Sequence, residues 1–349
     1  MTTKFWFLLL NSVAFAQIPR RNSNSAFGFE IVGFFGTPIQ PTYLYVDLNA
    51  VGIWLFSAEC SSCSHFSFNP NTSVTFQNQT TQSIYQFSSP LNDQKATLNG
   101  YIAQDQTLLV PELHSDDDTQ TLKFTLITSL VGFDTSVSPE GIQYDGRVGL
   151  SPKQSDQNAL NLVFGDLDRL VCFGQKDETW MEIGRKSLEQ NVQYENLTSV
   201  ATETDEWTFL IDDYSFGKFS SSGPFQVQLS TTTEFIYAPS GLINQIIKQL
   251  DAEVGPGDEL EVDCDRTAPN FQVQINGVYL SVQPSDYIHR ISNDKCVLQF
   301  RSFPNAKDQF VLGPPFLNSF TLCLDFDNQI VSFLDAKLKV YFQSQWKYQ

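Results

Sequence analysis

Histidine is scarce in this chain: three residues in 349, at His65, His114 and His289, too far apart for any recognised metal-ligand spacing. No metal and no cofactor is expected. Basic residues are also few. Lys and Arg number 21 against 39 Asp and Glu, and the net charge of -18 would be repelled by a phosphate backbone. That excludes nucleic acid as an expected partner. The acids are scattered except at Asp116-Asp117-Asp118, which reads as a solvated turn. Beyond the N-terminus there is no apolar run long enough to cross a bilayer, so no membrane anchor is expected.

What is present points to strands. Hydrophobic residues make up 41% and aromatics 13%, with 30 Phe. Runs of Val, Thr, Phe and Tyr are broken by Asn, Asp, Ser, Pro and Gly, the pattern of an all-β chain with many short strands. A chain of this length exceeds what one core usually supports, so two lobes are the default. Lys4, the apolar stretch Phe5 to Phe15 and Ala14-Phe15-Ala16 read as a secretory signal peptide over 1–16. The mature chain is then expected to begin at Gln17 and to be extracellular. Sequons at Asn71, Asn78 and Asn196 are candidate glycosylation sites. An oxidising compartment favours disulfides among the six cysteines. Cys60-Ser61-Ser62-Cys63 is expected to form a small disulfide loop rather than a zinc or redox site, because no second C-x-x-C follows.

Residues 27–57 alternate apolar and polar around a turn at Gly36-Thr37-Pro38, which predicts a hairpin and then a strand Tyr43 to Asp47. Further strands are expected at Gly100–Val110, Leu122–Val131, Phe225–Leu229, Phe271–Tyr279 and Gln309–Leu312. Asn318 to Leu334 reads as two strands joined at Asp325-Phe326-Asp327-Asn328. Ser240 to Leu250 carries the clearest amphipathic helix, and its stripe is read as core packing. The polar segment around Asn191 to Thr204 is the expected boundary, giving an N-terminal lobe over 17–198 and a C-terminal lobe over 199–349.

Gly36-Thr37-Pro38-Ile39-Gln40 precedes a strand ending in Asp47, then Ile53-Trp54-Leu55, then Cys60 and Cys63. In that order these pieces resemble the pepsin-like aspartic proteases (peptidase A1). Phe66-Ser67-Phe68-Asn69-Pro70 with Ser73-Val74-Thr75-Phe76 is similar to that family's F-x-P-x-x-S-x-T-F stretch. Asp145-Gly146-Arg147-Val148-Gly149-Leu150 is similar to D-G-I-L-G-L, and Val311-Leu312-Gly313 with Phe316 and Leu317 to the closing V-L-G-D-x-F-L. Pro239 and the helix after it resemble the piece following the second catalytic loop. The resemblance implies a bilobal, all-β pepsin-like fold with a few short helices and a cleft between lobes, suited to an extended peptide or protein ligand. The protein is expected to be a monomer. Cys264 and Cys296 flank Ile275-Asn276-Gly277-Val278 as in the family's C-terminal lobe, which implies their pairing. Cys172 and Cys323 fall in strands of the implied sheet beneath the cleft, and an inter-lobe disulfide between them is a hypothesis of the same origin.

The resemblance fails where the chemistry lies. Aspartic proteases need two carboxylates about 3 Å apart that share one proton, one serving as base toward water and the other polarising the scissile carbonyl. Here the first D-T-G-S loop reads Asp47-Leu48-Asn49-Ala50: the acid is kept, the bracing Thr is Leu48, and the Gly is Asn49. The second reads Ser230-Thr231-Thr232-Thr233-Glu234, so the second catalytic Asp position is Ser230. With the like charge gone, Asp47 is expected to behave as an ordinary single carboxylate. The flap sequence Y-G-x-G is absent between Tyr85 and Gly100, and Pro314 stands where the family has an Asp after V-L-G. No basic propeptide is expected between Gln17 and the start of the fold. Glu234, Asp212 and Asp213 are not expected to replace the missing acid, because catalysis demands close placement. A serine hydrolase using Ser230 lacks a nearby His base. The expectation is a secreted, disulfide-bonded pseudoenzyme of the family that binds a peptide or protein. A divergent active endopeptidase and a structural glycoprotein are the alternatives.

Overall fold

The computed structural model describes residues 30–60, 68–89, 92–109, 125–135, 145–152, 170–175, 179–183, 198–202, 206–292, 295–303 and 308–335. The signal peptide, Gln17, Cys63, His65, His114, the Asp116–Asp118 run and Asn196 lie outside them.

The first half builds a seven-stranded sheet from β1 (Glu30–Phe35), β2 (Gln40–Asp47), β3 (Val51–Phe56), β4 (Gln77–Ser89), β5 (Asn92–Leu109), β6 (Thr125–Thr135) and β7 (Gly146–Leu150), in the order β1-β2-β7-β3-β6-β5-β4. The predicted hairpin forms: β1 and β2 pair antiparallel with Phe35 opposite Gln40. Its turn is fixed by Gly36, whose φ of 79° favours glycine. Three strands follow, β8 (Leu170–Gln175), β9 (Thr179–Ile183) and β10 (Thr198–Ala201).

The second half opens with β11 (Thr208–Phe216), β12 (Phe219–Leu229) and β13 (Ile236–Ala238), then the helix α1 (Ser240–Leu250), at the residues its periodicity predicted. Leu242, Ile243, Ile246 and Leu250 are its buried stripe. A small sheet holds β14 (Glu253–Val254), β15 (Leu260–Asp263), β18 (Ile288–Arg290) and β19 (Lys295–Leu298). Between these in sequence run β16 (Phe271–Ile275) and β17 (Val278–Val282). The single strand expected over Phe271–Tyr279 is therefore two, because Asn276 and Gly277 both take positive φ and turn the chain. The helix α2 (Pro284–Tyr287) leads into β18, and β20 (Phe300–Ser302), β21 (Gln309–Leu312), the helix α3 (Pro314–Leu317), β22 (Phe320–Asp325) and β23 (Ile330–Asp335) complete the order.

A seven-stranded sheet in the order β17-β16-β11-β12-β21-β13-β20 carries the same central arrangement as the first. In one, β2 lies parallel to β7, β7 antiparallel to β3, and β3 parallel to β6. In the other, β12 lies parallel to β21, β21 antiparallel to β13, and β13 parallel to β20. The fold is thus a bilobal all-β architecture built on a repeated unit, with few and short helices.

The halves are joined by a five-stranded sheet, β10-β23-β22-β8-β9, in which β8 and β22 pair antiparallel with Cys172 opposite Cys323. These two cysteines form a disulfide, as do Cys264 and Cys296. Cys60 is also disulfide-bonded, and its expected partner lies outside the described residues. Trp207 caps the join by donating its indole N–H to the Leu150 carbonyl of β7, so a second-half ring completes a first-half strand. Its ring packs edge-on against Phe326. Much of the core is phenylalanine: Phe209, Phe216, Phe271, Phe300, Phe310, Phe316 and Phe333 are all fully buried. Each such side chain contributes roughly 1.5–3 kcal/mol of transfer free energy.

Candidate functional site

Strand register dictates which side chains share a surface. On β2 the core-facing residues are Leu44 and Val46, both buried in the apolar cluster. Tyr45 and Asp47 therefore point to the opposite face. β7 runs beside β2 with Tyr45 opposite Arg147 and Asp47 opposite Gly149. β3 flanks β7 on its other side with Trp54 opposite Arg147. Tyr45, Arg147 and Trp54 thus form one cross-strand row, and Asp47 sits at its end.

The Arg147 guanidinium donates from Nη1 to Asp47 Oδ2 at 2.6 Å, a charge-assisted hydrogen bond and ion pair. Asp47 is 2% exposed and Arg147 12%. The guanidinium carbon lies 5.8 Å from the Tyr45 ring centroid and 5.5 Å from that of Trp54, close enough for cation–π attraction on both sides. Asp47 Oδ1 accepts from the Asn49 amide at 2.9 Å, which closes the turn after β2. The turn needs no left-handed residue at Asn49; the positive φ falls on Gly52, at 72°. Asp47 has a cation partner that the sequence reading did not foresee. It is one half of a buried ion pair.

The second loop occupies the corresponding place in the second repeat. Gln228 of β12 lies opposite Val311 of β21, and Tyr237 of β13 lies opposite Val311 from the other side. Gln228, Val311 and Tyr237 therefore correspond to Tyr45, Arg147 and Trp54, and Ser230 corresponds to Asp47. Ser230 is fully buried, and its amide donates to the Leu312 carbonyl at 3.2 Å. Its hydroxyl accepts from the Thr232 amide at 3.2 Å and lies 3.0 Å from the Thr232 hydroxyl. The Gly313 that follows permits the strand crossing: a Cβ there would lie 2.3 Å from the Phe235 carbonyl oxygen. Gly146, at a different position of the first repeat, is equally confined: a Cβ there would lie 2.3 Å from the Trp54 carbonyl oxygen.

The two loops meet. Thr231 Oγ1 accepts from the Leu48 amide at 3.2 Å, and the Tyr45 hydroxyl donates to the Thr231 carbonyl. Asn49 Nδ2 adds a long contact of 3.4 Å to the Leu229 carbonyl. Half of the cross-loop brace therefore survives through Thr231, although its partner position is Leu48, which is fully buried.

The other candidate acids are placed elsewhere. Glu234 is exposed. Asp212 Oδ2 accepts from the Gly277 amide, and Asp213 Oδ2 accepts from the Tyr279 hydroxyl at 2.9 Å, on the β16–β17 hairpin. Pro314 begins α3 and is buried where an acid was the family expectation. His289 lies in β18. Among the described residues no cluster of His, Cys, Asp or Glu has the makings of a metal site. Asn71 and Asn78 are exposed. In the sequence Arg147 stands out only as one residue of the Asp145–Leu150 motif. The signal that could have found it is a cation at an apolar position of a short, otherwise apolar strand, Gly146-Arg147-Val148-Gly149-Leu150.

Residues 170–336 match the family model described as eukaryotic aspartyl protease. Mouse (Mus musculus) gastricsin is 24% identical over 320 residues, covering 85% of this chain and 78% of gastricsin. Aspartic protease 17 of Caenorhabditis elegans is 26% identical over 329 residues, covering 86% and 81%. Pregnancy-associated glycoprotein 2 of Bos taurus is 23% identical over 320 residues, covering 86% and 80%.

Proposed function

We propose that the chain, a homologue of the pepsin-like aspartic proteases, is a non-hydrolytic member of that family which binds an extended peptide or protein in the cleft between its lobes. The observation that carries the reading is Asp47: its counterpart in the second repeat is Ser230, and its own carboxylate is paired with Arg147 at 2.6 Å. Peptide hydrolysis by this family's chemistry needs an ionised and a protonated carboxyl together. A serine hydroxyl does not supply the acid, and Asp47 Oδ2 is already engaged by the Arg147 guanidinium. Loss of chemistry leaves the binding surface: edges of the family's fold accept extended peptides by main-chain hydrogen bonds.

The same reading takes the protein as secreted and monomeric, with lobes dividing near 198/199 and glycans at Asn71, Asn78 and Asn196. Disulfides are compatible with export, and among the described residues no helix is long and apolar enough to cross a membrane. The test is digestion of a denatured protein substrate from strongly acidic to neutral pH, with an Asp47→Asn variant as control. Equal background cleavage by both proteins is expected. Cleavage abolished by Asp47→Asn would establish an active protease instead.

A further inference from the structure

The loss of the acid at Ser230 and the gain of the base at Arg147 occur at one site, and the second repeat shows what Arg147 replaces. Its counterpart there is Val311, apolar and buried. A charge has been added in one repeat while a charge was removed from the other. Asp47 is buried to 2% exposure, and a buried carboxylate without compensation is strongly disfavoured. In a two-acid site the shared proton limits the charge that must be buried. Here a guanidinium occupies that role.

Resting on the reading above, we propose that Arg147 is the charge-balancing residue that stands in for the dyad proton. Ser230 and Arg147 are then two halves of one exchange, and reversing either alone does not recreate a proton-sharing pair. The physical argument is specific. A carboxylate introduced by Ser230→Asp enters the loop that meets the Asp47 loop through the Leu48 amide and Thr231, at the position corresponding to Asp47 of the existing Asp47–Arg147 ion pair. The guanidinium charge offsets the like-charge repulsion, so both carboxylates ionise and no proton is held between them. Arg147→Val alone removes the cation but leaves one carboxylate. Only Ser230→Asp with Arg147→Val places two acids together without a cation, the condition under which one proton is retained by the pair. Arg147 acts through Asp47 and is a positioning and charge-balancing residue, not a catalytic one.

The test is a difference proton titration of the full-length protein. The carboxyl added by Ser230→Asp is followed in the Arg147, Arg147→Lys, Arg147→Val and Arg147→Gln backgrounds, with folding checked by circular dichroism. In the Arg147 and Arg147→Lys backgrounds the added carboxyl is expected to lose its proton in the ordinary acidic range. In the neutral backgrounds the last proton of the pair is expected to leave about one pH unit or more higher. Arg147→Gln keeps a polar side chain and serves if Arg147→Val does not fold. The same titration in charged and neutral backgrounds would overturn the proposal while leaving the inactive reading intact. Asp47-dependent cleavage by the unmodified protein would instead remove the reading on which it rests.

Discussion

The two repeats are alike in backbone and opposite in chemistry. Each presents a central strand, β7 or β21, between a parallel and an antiparallel neighbour. In the first the outward row is Tyr45, Arg147 and Trp54 with Asp47 at its end. In the second it is Gln228, Val311 and Tyr237 with Ser230. The topology is held by backbone pairing and by apolar residues on the core face, which leaves the outward row free to change. The first repeat keeps its acid by giving it a cation. The second has no charge in the corresponding row and fills its loop with hydroxyls that bond one another.

The sharpest way to break this comparison is to separate the repeats. Cys172–Cys323 closes 151 residues, whereas Cys264–Cys296 closes 32 within one half. On the loop-entropy account the first contributes about 5 kcal/mol and the second about 4 kcal/mol. Replacing Cys172 and Cys323 by Ala is therefore expected to give the larger loss in denaturant unfolding. A larger loss from the Cys264/Cys296 pair would contradict the view that the long cross-link is the main covalent tie.

Next is the ion pair itself. Arg147→Val strands a buried carboxylate and is expected to cost about 3–5 kcal/mol, whereas adding Asp47→Asn should recover much of that loss. A smaller cost is expected in the second repeat: Ser230→Ala removes one acceptor of the Thr232 amide, worth about 1 kcal/mol. Equal costs for Arg147→Val and Ser230→Ala would erase the asymmetry. The cross-loop brace is tested by Thr231→Val, which leaves the buried Leu48 amide without its acceptor and is expected to cost about 1–3 kcal/mol.

The smallest effect is alkaline. Tyr101 of the first half has its pKa raised from 10.0 to about 12, chiefly by burial and then by the charge of Glu59. Tyr287 of the second half is pushed further up by burial alone. Unfolded tyrosines ionise near 10, so the unfolded chain loses protons that the folded one keeps, and stability must fall as pH rises from about 10 toward about 12. Thermal melts combined with phenolate absorbance check this. Phenolate appearing in the folded protein near pH 10, with no loss of stability, would count against burial of these rings.

How much of this was legible in sequence follows from how local the signals are. The hairpin around Gly36, the helix Ser240–Leu250 and the paired strands before and after Asp325 are set by short-range periodicity and turn residues, and they stand where the pattern put them. Asn276-Gly277 was also readable as a turn, but the apolar alternation on either side concealed it. The Cys172–Cys323 bond was reached only through the family resemblance, since nothing near either residue names the other. Arg147 was missed for the same reason. Its partner is remote in the chain, and only the parallel register of β2 and β7 brings Asp47 and Arg147 together. The retained half of the loop brace, at Thr231, was likewise hidden, because its partner, the Leu48 amide, lies 183 residues away in the chain.

The central claim is that no proton-sharing pair exists at Asp47. A transition-state mimic with a central hydroxyl gains its affinity from such a pair, so calorimetry with that peptide and with its analogue lacking the hydroxyl isolates the question. Equal affinities for the two peptides are predicted. A hydroxyl peptide binding about a hundredfold tighter or more, with the gain lost in Asp47→Asn, would contradict the account.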